Sequence, residues 1–146
     1  MKALLQRVQK ADVAVDGEII GAIRRGLLVF LGVCASDNEA CADYLVKKIA
    51  DLRIFPDDSG KSNLSITDVG GEILIISQFT LYADTKKGNR PSFIEAAPPK
   101  QANALYEYFI EQCRGKLSKV AAGAFGANMQ VSLINHGPYT IILESR

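Results

Sequence analysis

The sequence predicts an α+β domain whose sheet, largely antiparallel, curls toward a barrel and carries two main helices. Three observations carry that expectation. Short β-branched apolar runs occupy both ends of the chain, apolar residues recur at helical spacing in two stretches, and no repeat or Pro/Ser linker divides the 146 residues. Residues 1–146 are therefore read as one domain, and a 48% hydrophobic share is enough to bury a core without disulfide or metal.

Early strands are signalled by Ala3 to Val8, Val13 to Val15, Glu18 to Ile23 and Leu27 to Val33. Asp16-Gly17 marks a hairpin turn, because that dipeptide tolerates positive φ at low cost. Leu27 to Val33 is apolar on both alternating faces, as a central strand covered on both sides would be. Ser36 with Glu39 reads as a capping box opening a helix whose stripe is Cys41, Leu45, Ile49 and Leu52. Asp57-Asp58-Ser59-Gly60 and Gly70-Gly71 read as turns, and Ile73 to Ile76 as a short buried strand that delivers Ser77. Pro98-Pro99 opens a second helix with the stripe Ala102, Leu105, Phe109 and Cys113, stopped by Gly115. Met129 to Ile134 and Thr140 to Leu143 are the last strands. They flank Asn135 to Tyr139, too irregular for a simple hairpin because Pro138 has no amide hydrogen.

Composition bounds the function. A net charge of +1 argues against wrapping long nucleic acid, since counterion release needs many clustered cations; a small contact with an RNA end stays open. Local basic groups occur at Arg24-Arg25, Lys47-Lys48, Lys86-Lys87 with Arg90, and Arg114 with Lys116 and Lys119, each readable as solvated surface. Cys34, Cys41 and Cys113 have no metal-ligand spacing and fit buried thiols in a reducing compartment. The apolar run at the start breaks too early for a signal peptide, and Leu27 to Ala35 is too short to span a bilayer, so a cytoplasmic protein without membrane association is expected.

His136 is the single histidine, so no Ser-His-Asp or Cys-His set can be assembled without it. Two residues before a proline, it reads as an exposed loop histidine. No phosphate-cradling glycine loop or metal cluster is present, and neither cofactor nor metal is expected. What remains is hydroxyls, amides and backbone. Ser77, Gln78 and Thr80 bring polar side chains to a strand end, where amides could form an anion-stabilising nest or merely cap the strand. Gly137-Pro138 could be cis, presenting two carbonyls on one side, or could be an ordinary turn.

These segments do not stand alone. Ser77-Gln78-Phe79-Thr80-Leu81, Gly88-Asn89-Arg90-Pro91-Ser92-Phe93, and Met129-Gln130-Val131-Ser132-Leu133 running into Asn135-His136-Gly137-Pro138-Tyr139-Thr140 closely resemble the D-aminoacyl-tRNA deacylase family. The likeness extends to Leu5-Gln6-Arg7-Val8, Gly26-Leu27-Leu28-Val29 and Arg53-Ile54-Phe55, nearly the whole chain. His136 and Tyr139 stand where Asp and Val are expected in many relatives, and Tyr82 where Ala is frequent.

The resemblance implies a homodimer of barrel-like subunits that hydrolyses the ester joining a D-amino acid to the 3′-terminal adenosine of tRNA, with no DNA partner. It implies that Gly137-Pro138 is cis and reaches into the partner subunit's pocket. If those carbonyls grip the α-amino group, an L side chain is driven into the Gly-Pro backbone, a D side chain points to solvent, and glycine leaks through. Discriminating ~10⁴-fold needs about 5.5 kcal/mol, within reach of a rigid clash and beyond one lost hydrogen bond.

For bond breaking, Thr80 could attack as a nucleophile but lacks a visible base. The favoured route is direct water attack with the ribose 2′-hydroxyl assisting, Phe79 and Thr80 amides stabilising the oxyanion, and Ser77 and Gln78 shaping that corner. Phe125 and Met129, with Phe79 or Phe93, could hold the adenine; core packing competes for all four. A non-catalytic dimeric nucleic-acid-binding module is the alternative class.

Overall fold

A computed structural model describes residues 1–145. Strand β1 (Lys2–Val15) is followed by β2 (Glu18–Ile23) and β3 (Gly26–Gly32), then helix α1 (Glu39–Asp51), a small ribbon of β4 (Phe55–Pro56) and β5 (Ser62–Leu64), and β6 (Glu72–Ser77). A 3-10 turn (Phe79–Tyr82), α2 (Pro99–Arg114), β7 (Val120–Ala122) and β8 (Met129–Glu144) complete the chain. The main sheet runs β2-β1-β3-β6-β7, with β8 on the free side of β1. Pairings made by β1 are antiparallel, whereas β3, β6 and β7 run parallel, so the sheet is mixed.

The sheet curls until its two ends meet. A Cβ added at Gly21 of β2 would stand 3.1 Å from Ala122 O and 3.5 Å from Ala121 Cβ of β7, leaving the barrel nearly closed. Alternation along the strands then sorts side chains between two cores. Leu27, Val29, Leu31, Ile73 and Ile75 face the helices, which add Leu45, Ile49, Leu105 and Phe109. Leu28, Leu74, Ile76, Val8 and Val13 fill the barrel interior. This two-sided burial explains why β3, and Ile73 to Ile76 within β6, carry no polar side chain.

Several sequence expectations change in detail. The first helix is capped by Asn38, whose side chain accepts from the Cys41 amide at 3.2 Å; the expected Ser36–Glu39 box does not form. An Asn one residue before the helix out-competes a hydroxyl three residues away, because the cap must reach the amides of the first turn. Its buried face is Ala42, Leu45, Val46, Ile49 and Ala50, with Cys41 and Leu52 at the margin. The α2 stripe, Ala102, Leu105, Phe109 and Cys113, is buried as expected, and Gly115 caps it. Burial pushes the Cys113 thiol up to about 12, making it unreactive at neutral pH.

The two early strands fuse into one β1, and the two last strands into one β8. Between the pairs Val8↔Asn135 and Gln6↔Thr140, Arg7 alone faces His136, Gly137, Pro138 and Tyr139. The surplus residues form a bulge instead of a turn, because β1 is long enough to pair with both flanks. Asp57–Gly60 is the predicted turn, here joining β4 to β5, and Gly60 N bonds Asp57 O at 2.9 Å.

Candidate active site

At the end of β6 the sheet stops supplying partners. Gln78 N donates to Leu31 O at 2.8 Å, after which the chain leaves β3 and winds into the 3-10 turn, with Leu81 N bonded to Gln78 O. The Phe79 and Thr80 amides open that turn and find no acceptor among the described residues. Thr80 Oγ1 accepts from Gln78 Nε2, and both residues are solvent-accessible. A carboxamide is not a base in either orientation, so Thr80 has no group beside it to take its proton.

Beside this corner lies a cavity of about 600 Å³. Leu31 at the end of β3 and Val33 just beyond it, Pro98, Pro99 and Ala102 around the start of α2, and Tyr106 form its body; Ser77, Gln78, Phe79, Phe93 and Phe125 are also part of the lining. Phe79 and Phe93 meet edge to face at 5.0 Å, and Phe79 is 57% exposed. Tyr106 Oη lies 2.9 Å from both Ile75 O and Gly123 O, tying α2 to the ends of β6 and β7, and burial raises its pKa. Among the described residues no charged side chain lines the cavity. Its size and apolar walls suit a neutral aromatic or ribosyl group.

The structure thus brings together Ser77, Gln78, Phe79, Phe93 and Phe125, with Thr80 bonded at the rim. Met129 stands apart from the lining: it packs among the barrel-interior residues, and a Cβ added at Gly123 would stand 2.6 Å from its sulfur. Leu31, Val33 and Tyr106 carry no site signal in sequence, since residues of this kind on a buried strand and helix read as core. Pro98-Pro99 reads as a helix start, and nothing local reveals that the start is also a cavity wall.

Gly137 and Pro138 lie elsewhere. Arg7 pairs with Leu27 near the start of β3, while Ser77 pairs with Leu31 near its end. At about 3.3 Å per strand residue the bulge and the cavity corner are separated by roughly 13 Å along the sheet. The Gly137-Pro138 peptide is cis, both residues are exposed, and neither lines the cavity. Arg7, itself 5% exposed, holds the bulge: Nε donates to His136 O at 3.2 Å, Nη2 to Gly137 O at 3.4 Å and Nη1 to Ile54 O. Its guanidinium stacks on Tyr139 at 4.3 Å, whose hydroxyl donates to Ser62 Oγ at 2.5 Å. Burial lowers the Arg7 pKa, and Tyr139 works against that shift. Asn135 Nδ2 completes the clamp by donating to Arg7 O at 3.0 Å and Tyr139 O at 3.2 Å.

Comparison with known proteins covers the same extent. The family model described as D-Tyr-tRNA(Tyr) deacylase matches residues 4–144. The chain is 53% identical to the D-aminoacyl-tRNA deacylase of Thermosipho africanus (strain TCF52B), covering 100% of this chain and 98% of the relative. It is 55% identical to the protein of the same name from Koribacter versatilis (strain Ellin345), with the same coverage. A solved structure described as "c-Myc DNA Unwinding Element Binding Protein" superposes with a TM-score of 0.95 at 46% identity, covering 100% of this chain and 99% of that one. Another, of a "probable eukaryotic D-amino acid tRNA deacylase", shares the fold at TM-score 0.87 and 17% identity, covering 98% of each. With a family match from β1 to the end of β8, and the strand-end corner and clamped bulge both inside it, this chain belongs to the D-Tyr-tRNA(Tyr) deacylase family.

Proposed function

We propose that this chain hydrolyses the ester of D-aminoacyl-tRNA, releasing D-amino acid and tRNA, in a site assembled from two copies. The observation that carries the two-copy reading is the separation of the cavity corner from the Gly137-Pro138 bulge within one chain. The ester carbonyl and the α-ammonium sit on adjacent carbons of the substrate, so they cannot reach both places at once unless a second copy supplies the bulge. The two parts are chemically complementary. Amides without an acceptor at Phe79 and Thr80 suit a developing oxyanion, and carbonyls of the exposed Gly137-Pro138 segment suit the α-ammonium of the amino acid. Gly137 O is already engaged by Arg7, but a carbonyl has a second lone pair.

Water attacks the ester with the ribose 2′-hydroxyl assisting, because Thr80 faces a carboxamide instead of a base. Phe125 and Phe93 hold the adenine in the uncharged cavity. The bulge excludes an L side chain by contact with main chain, so side-chain identity goes unread and glycyl-tRNA is also a substrate. Residues 1–146 act as one domain, in the cytoplasm, without cofactor.

A complementation experiment tests the assembly. Phe79→Pro removes an amide from the corner, and Pro138→Ala changes the bulge. Each alone should lose D-selective hydrolysis. Mixed in equal amounts and allowed to exchange, half the dimers are hybrid and one of their two sites has both parts intact, restoring about one site in four. No restoration despite subunit exchange overturns the two-copy site.

The second reading is a nucleic-acid-binding module without turnover, favoured by the likeness to a solved protein described as binding a DNA unwinding element. Incubation with D-Tyr-tRNA and L-Tyr-tRNA separates the two: binding without D-selective release supports the module.

A further inference from the structure

The cavity suits no phosphate: its lining has no cation among the described residues, so the phosphates preceding a bound terminal nucleoside belong outside its mouth. Directly before the lining residue Phe93 the chain makes a loop closed by two backbone bonds, Asp84 N to Ser92 O at 2.8 Å and Ser92 N to Asp84 O at 2.9 Å. Asp84 Oδ1 accepts from Lys86 N at 2.9 Å, so its carboxylate is occupied with shaping the turn. Gly88 at φ +112° supplies the left-handed residue that the apex requires. Residues 83–92 are exposed throughout, and the segment from 84 to 92 carries Lys86, Lys87 and Arg90 against Asp84, a net +2.

Several other basic positions are partly neutralised, and Lys10, Lys47, Lys61 and Lys116, which are in no ion pair among the described residues, do not adjoin a lining residue in the chain. Lys119 and Arg24 pair with Glu72, Arg114 with Glu111, and Lys2 with Glu144, while Lys48 lies over the Tyr44 ring. Among the described residues Lys86, Lys87 and Arg90 make no ion pair, and neither does exposed Lys100, which follows lining Pro99. Unpaired cations on a loop braced at its base, adjoining an uncharged cavity, lose little by binding polyanions and gain counterion release.

We infer that the loop 84–92, through Lys86, Lys87 and Arg90, is the docking surface for the phosphates of the tRNA strand leading into the cavity. This rests on the deacylase reading above. The loop sets affinity for the RNA body and does no chemistry, so its contribution appears only when those phosphates are present.

The test compares D-Tyr-tRNA with D-tyrosyl-adenosine, the same ester without preceding nucleotides. For the triple variant Lys86→Ala/Lys87→Ala/Arg90→Ala, KM on D-Tyr-tRNA should rise about tenfold or more at low salt. The slope of log kcat/KM against log salt should become shallower by about 2, from roughly 0.7 per lost single-strand phosphate contact. Hydrolysis of D-tyrosyl-adenosine should change less than about twofold. Lys86→Arg/Lys87→Arg/Arg90→Lys should keep the tRNA KM, showing that charge is what matters. An unchanged KM and slope on tRNA, or equal loss on both substrates, overturns the inference while leaving the deacylase reading intact. A wild-type chain that hydrolyses neither substrate overturns both.

Discussion

The cavity corner and the Gly137-Pro138 bulge are both interruptions of a strand, yet they are built oppositely. The corner is concave: β6 ends, amides are left free, and apolar walls from β3 and α2 close around them. The bulge is convex: β8 continues on both sides, and the surplus residues protrude under the hold of Arg7, Asn135 and Tyr139. One offers donors in a recess and the other acceptors on a projection. In the two-copy site proposed above, the two shapes would meet across a twofold axis, where every chain gives and receives once.

The most severe way to break the comparison is to remove a donor from the recess. Phe79→Pro should lower kcat by roughly 10² to 10³, the usual loss for one oxyanion donor, while Phe79→Leu, which keeps the amide, loses far less. Equal losses for both would place the importance in the ring. Next comes the projection. Pro138→Ala should cut the D-over-L ratio of kcat/KM by at least about tenfold or abolish activity; an unchanged ratio contradicts steric exclusion by main chain.

Gly137→Ala sharpens the distinction between fold and function. An added Cβ meets only Asn135 Oδ1 at 3.8 Å, so the melting temperature should stay within a few degrees, while D-substrate turnover falls several-fold because the methyl occupies the projecting tip. A large drop in Tm would show the tip packed instead. On the recess side, Tyr106→Phe leaves Ile75 O and Gly123 O without that hydroxyl and should cost about 1–3 kcal/mol in denaturant unfolding. Thr80→Ala should change turnover by less than about threefold; an acyl-Thr80 adduct trapped from wild type would overturn the water route.

How much of this is legible in residues follows from where the information sits. Local chemistry is local in sequence. The α2 stripe, the Asp57–Gly60 turn, Ser77 at a strand end and the irregularity of Asn135–Tyr139 all depend on neighbours within a few positions. The Ser36 cap failed because Asn38, two residues on, offered the same hydrogen bond in better register. The short strands β4, β5 and β7 have too few residues for any periodicity to show.

By itself the sequence determined the α+β class, both helices, the two chemistry-bearing segments and their resemblance to a deacylase family. Periodicity and motif order are properties of the chain before it folds. Only the tertiary structure decided that Arg7 clamps residues 136 and 137, that Tyr106 and Pro98-Pro99 wall the cavity, and that Met129 turns into the barrel. Only it set the corner and the bulge some strand residues apart. Those outcomes depend on which strands pair and in what register, and pairing energy comes from contacts between residues far apart in the chain, which no local pattern records.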